Sequence, residues 1–148
     1  MDFNDTPQEA AFRAEARAWL AAHAPAHEMP RGQRLDDADE AARGRAWMRE
    51  LYDGGWAGLT FPKALGGRGL SGIEAVIFAE EEGRYHLPKG PFTAIGTGMA
   101  LPVIARHGTD EQRARFIEPT LKGDVTWCQL FSEPSAGSDL AALRTKAV

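Results

Sequence analysis

The sequence predicts a mainly α-helical protein whose last residues begin a β-domain. Three short segments, residues 6–9, 71–74 and 109–112, have a hydroxyl side chain followed three positions later by Glu or Gln, the capping box that begins a helix. Apolar residues then recur at spacings of three and four, as on one face of a helix. Over residues 125–132 the spacing changes to two, and aromatic and β-branched residues are frequent, which predicts a strand.

Five helical segments are expected before this strand, each bounded by capping residues, glycine or proline. They cover residues 7–24, about 36–53, about 72–82, 95–106 and about 110–122. Gly96, Gly98 and Pro102 should allow a close approach or a kink in the fourth segment. A lone strand cannot satisfy its edges, and residues 143–148 look like the start of a second one, so we expect the sequence to stop inside a β-domain.

The third segment is expected to be central, because Ile73, Val76, Ile77 and Phe78 make it apolar over much of its circumference. The three glutamates at its end, residues 80–82, point in different directions around a helix and lack a complement of His or Asp. We therefore interpret them as a solvated face or as members of local ion pairs, and we expect no metal site.

Composition excludes several functional classes. The chain has 148 residues, of which 43% are hydrophobic and 26% charged, enough for one domain with a buried core. No run approaches about 18 apolar residues and the first residues are acidic, so we expect no membrane span and a cytoplasmic location. A net charge of −4 argues against nucleic acid as a main partner. The single cysteine, Cys128, excludes an internal disulfide and is interpreted as a small filler of the buried strand.

A polar turn follows the predicted strand. Pro134 removes a ladder donor and holds Glu133 extended, so strand pairing should stop there. Residues 135–139, Ser-Ala-Gly-Ser-Asp, then offer small side chains and free backbone amides, which can form a concave nest for an anion such as phosphate. The alternative is an ordinary surface turn, because Gly, Ser and Asp are common in such turns.

The sequence Gln-Leu-Phe-Ser-Glu-Pro-Ser-Ala-Gly-Ser-Asp at residues 129–139, with Leu140 and the Arg-Thr-Lys run at 144–146, resembles the signature of the acyl-CoA dehydrogenase family. Further similar segments follow the family's order, at residues 54–58, 62–70, 106–109 and 112. The resemblance therefore covers nearly the whole chain. One departure is Ser135, where the family commonly has glycine; it can alter the turn without removing its amides.

The resemblance implies an N-terminal helical domain over residues 1–123 and, over residues 124–148, the beginning of an incomplete, β-barrel-like middle domain. It implies an oxidoreductase of fatty acid or lipid metabolism, a flavoprotein that uses FAD to dehydrogenate an acyl-CoA thioester. In that reaction a carboxylate removes the α-proton while hydride passes from the β-carbon to FAD. The implied partners are the acyl-CoA substrate, an electron-transferring flavoprotein and the other subunits of a homo- or hetero-oligomer.

The resemblance also assigns cofactor-binding residues by their position in the signature. These are Gln129, Leu130, Phe131, Ser132, Gly137 and Ser138. Backbone groups around Leu130 and Phe131 are expected to meet the flavin ring, and Ser132 to hydrogen-bond its pyrimidine edge. Gly137 and Ser138 are expected at the FAD pyrophosphate, and Ser138 also at the acyl-CoA.

None of the glutamates in this chain matches the family's catalytic base, which lies in a C-terminal helical domain. No catalytic residue is therefore assigned, and we interpret the chain as an N-terminal portion that cannot complete the reaction alone. Two alternatives stay open: a non-catalytic module that binds a partner subunit or acyl-CoA, and a flavin oxidase or monooxygenase of the same fold. Straight, branched and steroid side-chain acyl groups are not distinguished.

Overall fold

The computed structural model describes residues 4–30, 32 and 35–146, and these are mainly helical, as the sequence predicts. The α-helices are α1 (Pro7–His23), α2 (Asp37–Asp53), α3 (Gly72–Glu82), α4 (Leu101–His107) and α5 (Asp110–Leu121). A π-helix, Thr93–Ala100, runs directly into α4, so the two together occupy the fourth predicted segment. Single turns of 3-10 helix lie at Ala24–Ala26, Lys63–Leu65, Gly90–Phe92 and Leu140–Ala142.

All three predicted capping boxes are formed, and each sets the start of its helix. At α1 the Glu9 N–H donates to Thr6 Oγ1 at 3.3 Å, while the Thr6 N–H donates to Glu9 Oε2 at 2.7 Å. The same reciprocal pair forms at α3 and α5, between Ser71 and Glu74 and between Thr109 and Gln112. Each box satisfies N–H groups that a helix start otherwise leaves without a partner.

The core is built around aromatic side chains from α1, α2, α3 and the segment after α2. They are Phe12, Trp19, Trp47, Trp56 and Phe78. Trp56 stacks on Phe78 with ring centroids 4.9 Å apart, and it also meets Trp19 at 5.5 Å. Large rings packed in this way bury much apolar area, which is the main favourable term in folding. The fully buried Leu101 and Leu121 extend this core to α4 and α5.

Helix α3 is buried on one side rather than around most of its circumference. Ile77 and Phe78 lie in the core, but Ile73 is 59% exposed and Val76 is 58% exposed. The prediction of a central helix is wrong for these two positions. The reason is that α3 packs along α1, and the two exposed side chains line a concavity at the edge of that contact.

Two of the three glutamates at the end of α3, Glu81 and Glu82, are buried. These two form ion pairs, which is one of the two arrangements predicted, and they are not part of a solvated face. Glu81 is 1% exposed and forms ion pairs with Arg13 and Arg17 of α1 and with Arg84, two residues after α3. Glu82 is 8% exposed and accepts hydrogen bonds from Trp47 Nε1 at 2.9 Å and Lys89 Nζ at 2.6 Å. These contacts connect α3 to both α1 and α2.

The glycine-rich segment 66–69 folds back tightly on the residues before it. The Gly69 N–H donates to the Phe61 carbonyl at 2.8 Å, and the Gly67 N–H to the Pro62 carbonyl at 3.2 Å. A Cβ at position 67 would lie 2.2 Å from the Phe61 carbonyl oxygen, well inside contact distance. Only glycine fits there, because the obstacle is backbone that cannot rotate away.

The strand predicted over residues 125–132 is not formed within the described part of the chain, whose β-bridge joins Glu133 to Ala136. No second strand lies beside it there to complete a ladder. The side chains are correspondingly open: Leu130 is 85% exposed, Phe131 is 72% exposed, and Cys128 is also exposed. The prediction of a buried strand is therefore wrong, as is the interpretation of Cys128 as a small filler of it.

Candidate functional site

An apolar groove lies between the fourth helical segment and the chain that follows α5. Its walls are Ile95, Met99, Ala100, Val103 and Ile104 on one side, and Trp127, Cys128, Gln129 and Phe131 on the other. Its volume is about 530 Å³, which is within the range of small-molecule sites. No charged side chain of the described residues lines it, so it suits an apolar ligand group.

The helical wall of the groove has unusual backbone geometry. Over Thr93–Ala100 the helix is wider than an α-helix, and the Leu101 N–H donates to the Gly96 carbonyl, five residues earlier. The distortion predicted from the glycines and Pro102 takes this form. π-helical turns occur frequently at functional sites, and here the turn presents Met99 to the groove.

Trp127 is the anchored residue of the opposite wall. Its Nε1–H donates to Thr120 Oγ1 at 2.9 Å, and Thr120 is fully buried in α5. Phe116, also on α5, meets the Trp127 ring edge-on with centroids 5.4 Å apart. Gly96 lies against the same ring, since a Cβ there would be 3.2 Å from Trp127 Cδ1. These contacts fix the position from which the chain runs along the groove.

The four residues predicted to meet a flavin, residues 129–132, are all exposed. Gln129 and Phe131 line the groove, whereas Leu130 and Ser132 are not part of its walls. No hydrogen bond among the described residues engages the backbone N–H or C=O groups of these four. Their polar backbone groups are thus available to a ligand or to a neighbouring strand.

A tight turn follows immediately. The Glu133 N–H donates to the Ala136 carbonyl at 2.7 Å and the Ala136 N–H returns to the Glu133 carbonyl at 3.1 Å, with Pro134 and Ser135 at the tip. Ala136 is 3% exposed and fixes the base of the turn. Ser135 causes no backbone strain, because none of the described non-glycine residues has a left-handed φ.

The Glu133 carboxylate joins this turn to the end of the described chain. It accepts from the Arg144 N–H at 2.9 Å, from the Thr145 N–H at 2.8 Å and from the Thr145 hydroxyl. The Thr145 hydroxyl, followed by the two backbone N–H groups, holds the pKa of Glu133 below its ordinary value. The residues between Glu133 and Thr145 are thereby held as a closed loop.

Gly137 and Ser138 lie on that loop and are exposed. Their N–H groups donate to no acceptor in the described part of the chain, and the space around a Cβ at Gly137 is open. Exposed, unpaired amides beside small side chains fit an anion such as a phosphate group. The predicted site residues therefore fall in two places, with Gln129 and Phe131 on the groove and Gly137 and Ser138 on the loop.

The helical wall of the groove was not predicted from the sequence. The signal was present, because Ile95, Met99 and Val103 are spaced four apart and therefore share one face. Met99 is 45% exposed and Val103 is 60% exposed, although both are apolar. What the spacing could not reveal is that this face is opposed by residues 127–131 rather than buried in the core.

The described residues include no group of three or more His, Cys, Asp or Glu side chains placed to hold a metal ion. None of the helices they form is long and apolar enough to cross a membrane.

Comparison with known proteins identifies the helical part of the chain. The sequence profile of the acyl-CoA dehydrogenase N-terminal domain matches residues 6–124. Acyl-CoA dehydrogenase IpdE1 of Mycolicibacterium smegmatis is 38% identical over 141 residues, which are 92% of this chain and 35% of that protein. Acyl-CoA dehydrogenase FadE34 of Mycobacterium tuberculosis is 50% identical over 82 residues, 55% of this chain and 11% of that protein. The chain thus spans about a third or less of the length of these relatives.

Solved structures give the same assignment. The ChsE4-ChsE5 complex from Mycobacterium tuberculosis superposes with a TM-score of 0.70 at 32% identity, over 98% of this chain and 35% of that one. The steroid ACAD Tcur3481-Tcur3483 superposes with a TM-score of 0.66 at 29% identity, over 99% of this chain and 37% of that one. The chain belongs to the acyl-CoA dehydrogenase family of enzymes, and it contains the family's N-terminal helical domain.

Proposed function

We propose that this chain forms one side of the FAD and acyl-CoA site of an enzyme that dehydrogenates an acyl-CoA thioester between its α and β carbons. The observation that carries the proposal is the apolar groove whose wall is the family's signature segment. The two walls of the groove come from different parts of the fold, one from the fourth helical segment and the other from the chain after α5. Their juxtaposition fits a site in which an apolar acyl group lies beside a cofactor.

FAD supplies the acceptor for the hydride that leaves the β-carbon. Within this chain, the free backbone groups around Leu130 and Phe131 would hold the flavin ring, together with Gln129. The Ser132 hydroxyl would hydrogen-bond the pyrimidine edge. The unpaired amides of Gly137 and Ser138 would hold the pyrophosphate, and Ser138 would also contact the acyl-CoA.

The groove side chains would bind the acyl group and exclude water from it, because an apolar, uncharged lining gives water few hydrogen-bond partners. No carboxylate of the described residues lines the groove, so removal of the α-proton needs a base that these residues do not supply. We therefore expect no turnover by this chain alone. Incubation with octanoyl-CoA and a dye acceptor tests this, and reproducible dye reduction contradicts it.

We further propose that residues 1–123 form the helical domain and residues 124–148 begin the middle β-domain. The unpaired backbone of residues 126–132 supports this, since a complete β-domain would supply the missing ladder partners. Assembly into an oligomer is supported by the solved relatives, which include the ChsE4-ChsE5 complex. An electron-transferring flavoprotein is the partner that would take the electrons onward.

Binding of FAD to the chain tests the cofactor assignment. Titration followed by flavin fluorescence polarisation should give saturable binding, which Ser132→Ala weakens about fivefold by removing one hydrogen bond. Ser135→Ala is the matched control, because this exposed serine is at the turn tip and has no assigned contact. Equal affinity of both variants and the unchanged chain would reject the role of Ser132. Binding of acyl-CoA without FAD would instead favour a non-catalytic acyl-CoA-binding module.

A further inference from the structure

Trp127 differs from the other groove residues in how firmly its side chain is held. Phe131, the other aromatic residue of the groove, is 72% exposed. Trp127 is half-buried and is restrained by a hydrogen bond to Thr120, an edge contact with Phe116 and close packing on Gly96.

The hydrogen bond to Thr120 is well protected. Thr120 is 0% exposed, so water does not compete with the indole N–H for its hydroxyl while the ring is in place. An unsatisfied buried polar group is costly, and this keeps the donor and acceptor together. Thr120 lies on α5, a helix whose start is fixed by its own capping box. The indole is therefore attached to a rigid element.

Gly96 packs closely against the same pair of side chains. A Cβ there would lie 3.2 Å from Trp127 Cδ1 and 3.3 Å from Thr120 Cγ2, tighter than ordinary contact with both members of the hydrogen-bonded pair. The Gly96 carbonyl also accepts the π-helical hydrogen bond from the Leu101 N–H, five residues later. The wide helical turn and the anchored indole thus fit together at one point.

From these contacts we propose that Trp127 is a specificity-determining residue, which sets the width of the groove and so limits the bulk of the acyl group that it accepts. Thr120 acts as its positioning residue, and Gly96 provides the space for the ring. The inference rests on the proposed acyl-binding function of the groove. A side chain held on several sides cannot move aside for a branched or ring-bearing acyl group, whereas a free one can change rotamer.

Calorimetric titration of the 148-residue chain with octanoyl-CoA and with cyclohexylacetyl-CoA tests the inference. The unchanged chain should prefer the straight acyl group. Thr120→Val keeps the side-chain shape but removes the acceptor, and it should reduce this preference about tenfold, the effect of a small change in pocket size. Thr120→Ser keeps the hydroxyl and is the matched control, which should retain the preference.

Two further measurements separate a loss of the indole hydrogen bond from a failure of the variant to fold. The indole N–H resonance of Trp127 should shift in Thr120→Val and stay in place in Thr120→Ser. If Thr120→Val does not fold by circular dichroism, Trp127→Leu should give the same loss of preference. Binding of both thioesters with an unchanged preference in the folded variants overturns the role of Trp127 and leaves the proposed function intact. Failure of the unchanged chain to bind either thioester overturns the proposed function, and the inference with it.

Discussion

Replacing Glu81 by glutamine should destabilise the fold much more than the same change at the neighbouring Glu80. The Glu81 side chain is fully buried. It accepts hydrogen bonds from Arg17 at 2.8 and 2.9 Å and from Arg13 at 3.2 Å, and it forms an ion pair with Arg84 at 3.1 Å. Glutamine keeps the volume but removes the charge and places an amide donor among guanidinium donors. Arg13 and Arg17 of α1 then lose the charged acceptor that they share on α3.

The expected loss is about 2–3 kcal/mol in the free energy of unfolding at pH 7. Removing one partner of a buried ion pair costs about 3–5 kcal/mol, because the other charge is left buried. Here we expect a loss at or below the lower end of that range, since the Arg17 and Arg84 side chains are 51% and 58% exposed and water can solvate them. Urea unfolding followed by circular dichroism gives the value directly.

The loss should depend on pH with a defined sign. Hydrogen bonds from Arg17 and then Arg13 outweigh burial and lower the pKa of Glu81 from 4.5 to about 2. A carboxylate with a lowered folded pKa stabilises the fold above its unfolded pKa, and this is lost as pH falls through the folded pKa. The difference between the unchanged chain and Glu81→Gln should thus be full at pH 7 and about half or less at pH 3.

Glu80→Gln is the matched control. Glu80 is the neighbouring carboxylate and pairs with the same Arg13 at 2.8 Å, but its side chain is 58% exposed. An exposed pair of this kind contributes about 0–1 kcal/mol, so Glu80→Gln should change stability little. Equal losses for the two variants, or a Glu81→Gln loss that is the same at pH 7 and pH 3, would refute the reasoning.

Three further predictions concern the elements around the site. Thr109→Ala removes the hydroxyl cap of α5 and should cost about 1 kcal/mol in urea unfolding, while Thr109→Ser should cost little. Gly67→Ala places a Cβ 2.2 Å from the Phe61 carbonyl oxygen and should cost more than about 3 kcal/mol, whereas Gly66→Ala meets open space and should cost about 1 kcal/mol for its left-handed φ. Glu133→Ala removes the acceptor for the Arg144 and Thr145 N–H groups, so both amides should exchange with deuterium at the rate of an open chain; unchanged protection would contradict the closed loop.

Helix positions could be predicted because their signals are local. Thr6, Ser71 and Thr109 each have Glu or Gln three residues later, and the hydrogen bonds involved lie within one turn. Ionic partners were not predictable in the same way. Burial of Glu81 depends on Arg13 and Arg17, which lie more than 60 residues earlier, and no spacing rule connects them.

The candidate site was predicted in part for a similar reason. The signature at residues 129–139 contains groove residues and a turn, but the turn spans residues 133–136 and therefore begins before the predicted residues 135–139. The prediction of a strand before this turn is wrong because a strand needs a neighbouring strand to pair with. The described chain contains no such strand beside residues 125–132. The groove itself needed the helix of Met99 and the chain of Phe131 to be brought together, which is a property of the fold alone.

The most direct test of the account is a ¹H–¹⁵N correlation spectrum of the 148-residue chain titrated with FAD and then with octanoyl-CoA. FAD should shift the amides of residues 129–132 together with those of Gly137 and Ser138, and octanoyl-CoA should shift residues around Met99 and Val103 on the opposite wall. The proposal is that the groove and the closed loop form one side of a flavin and acyl-CoA site. Shifts confined to the other side of the molecule, such as the exposed face of α3, or no shifts at millimolar ligand, would contradict it.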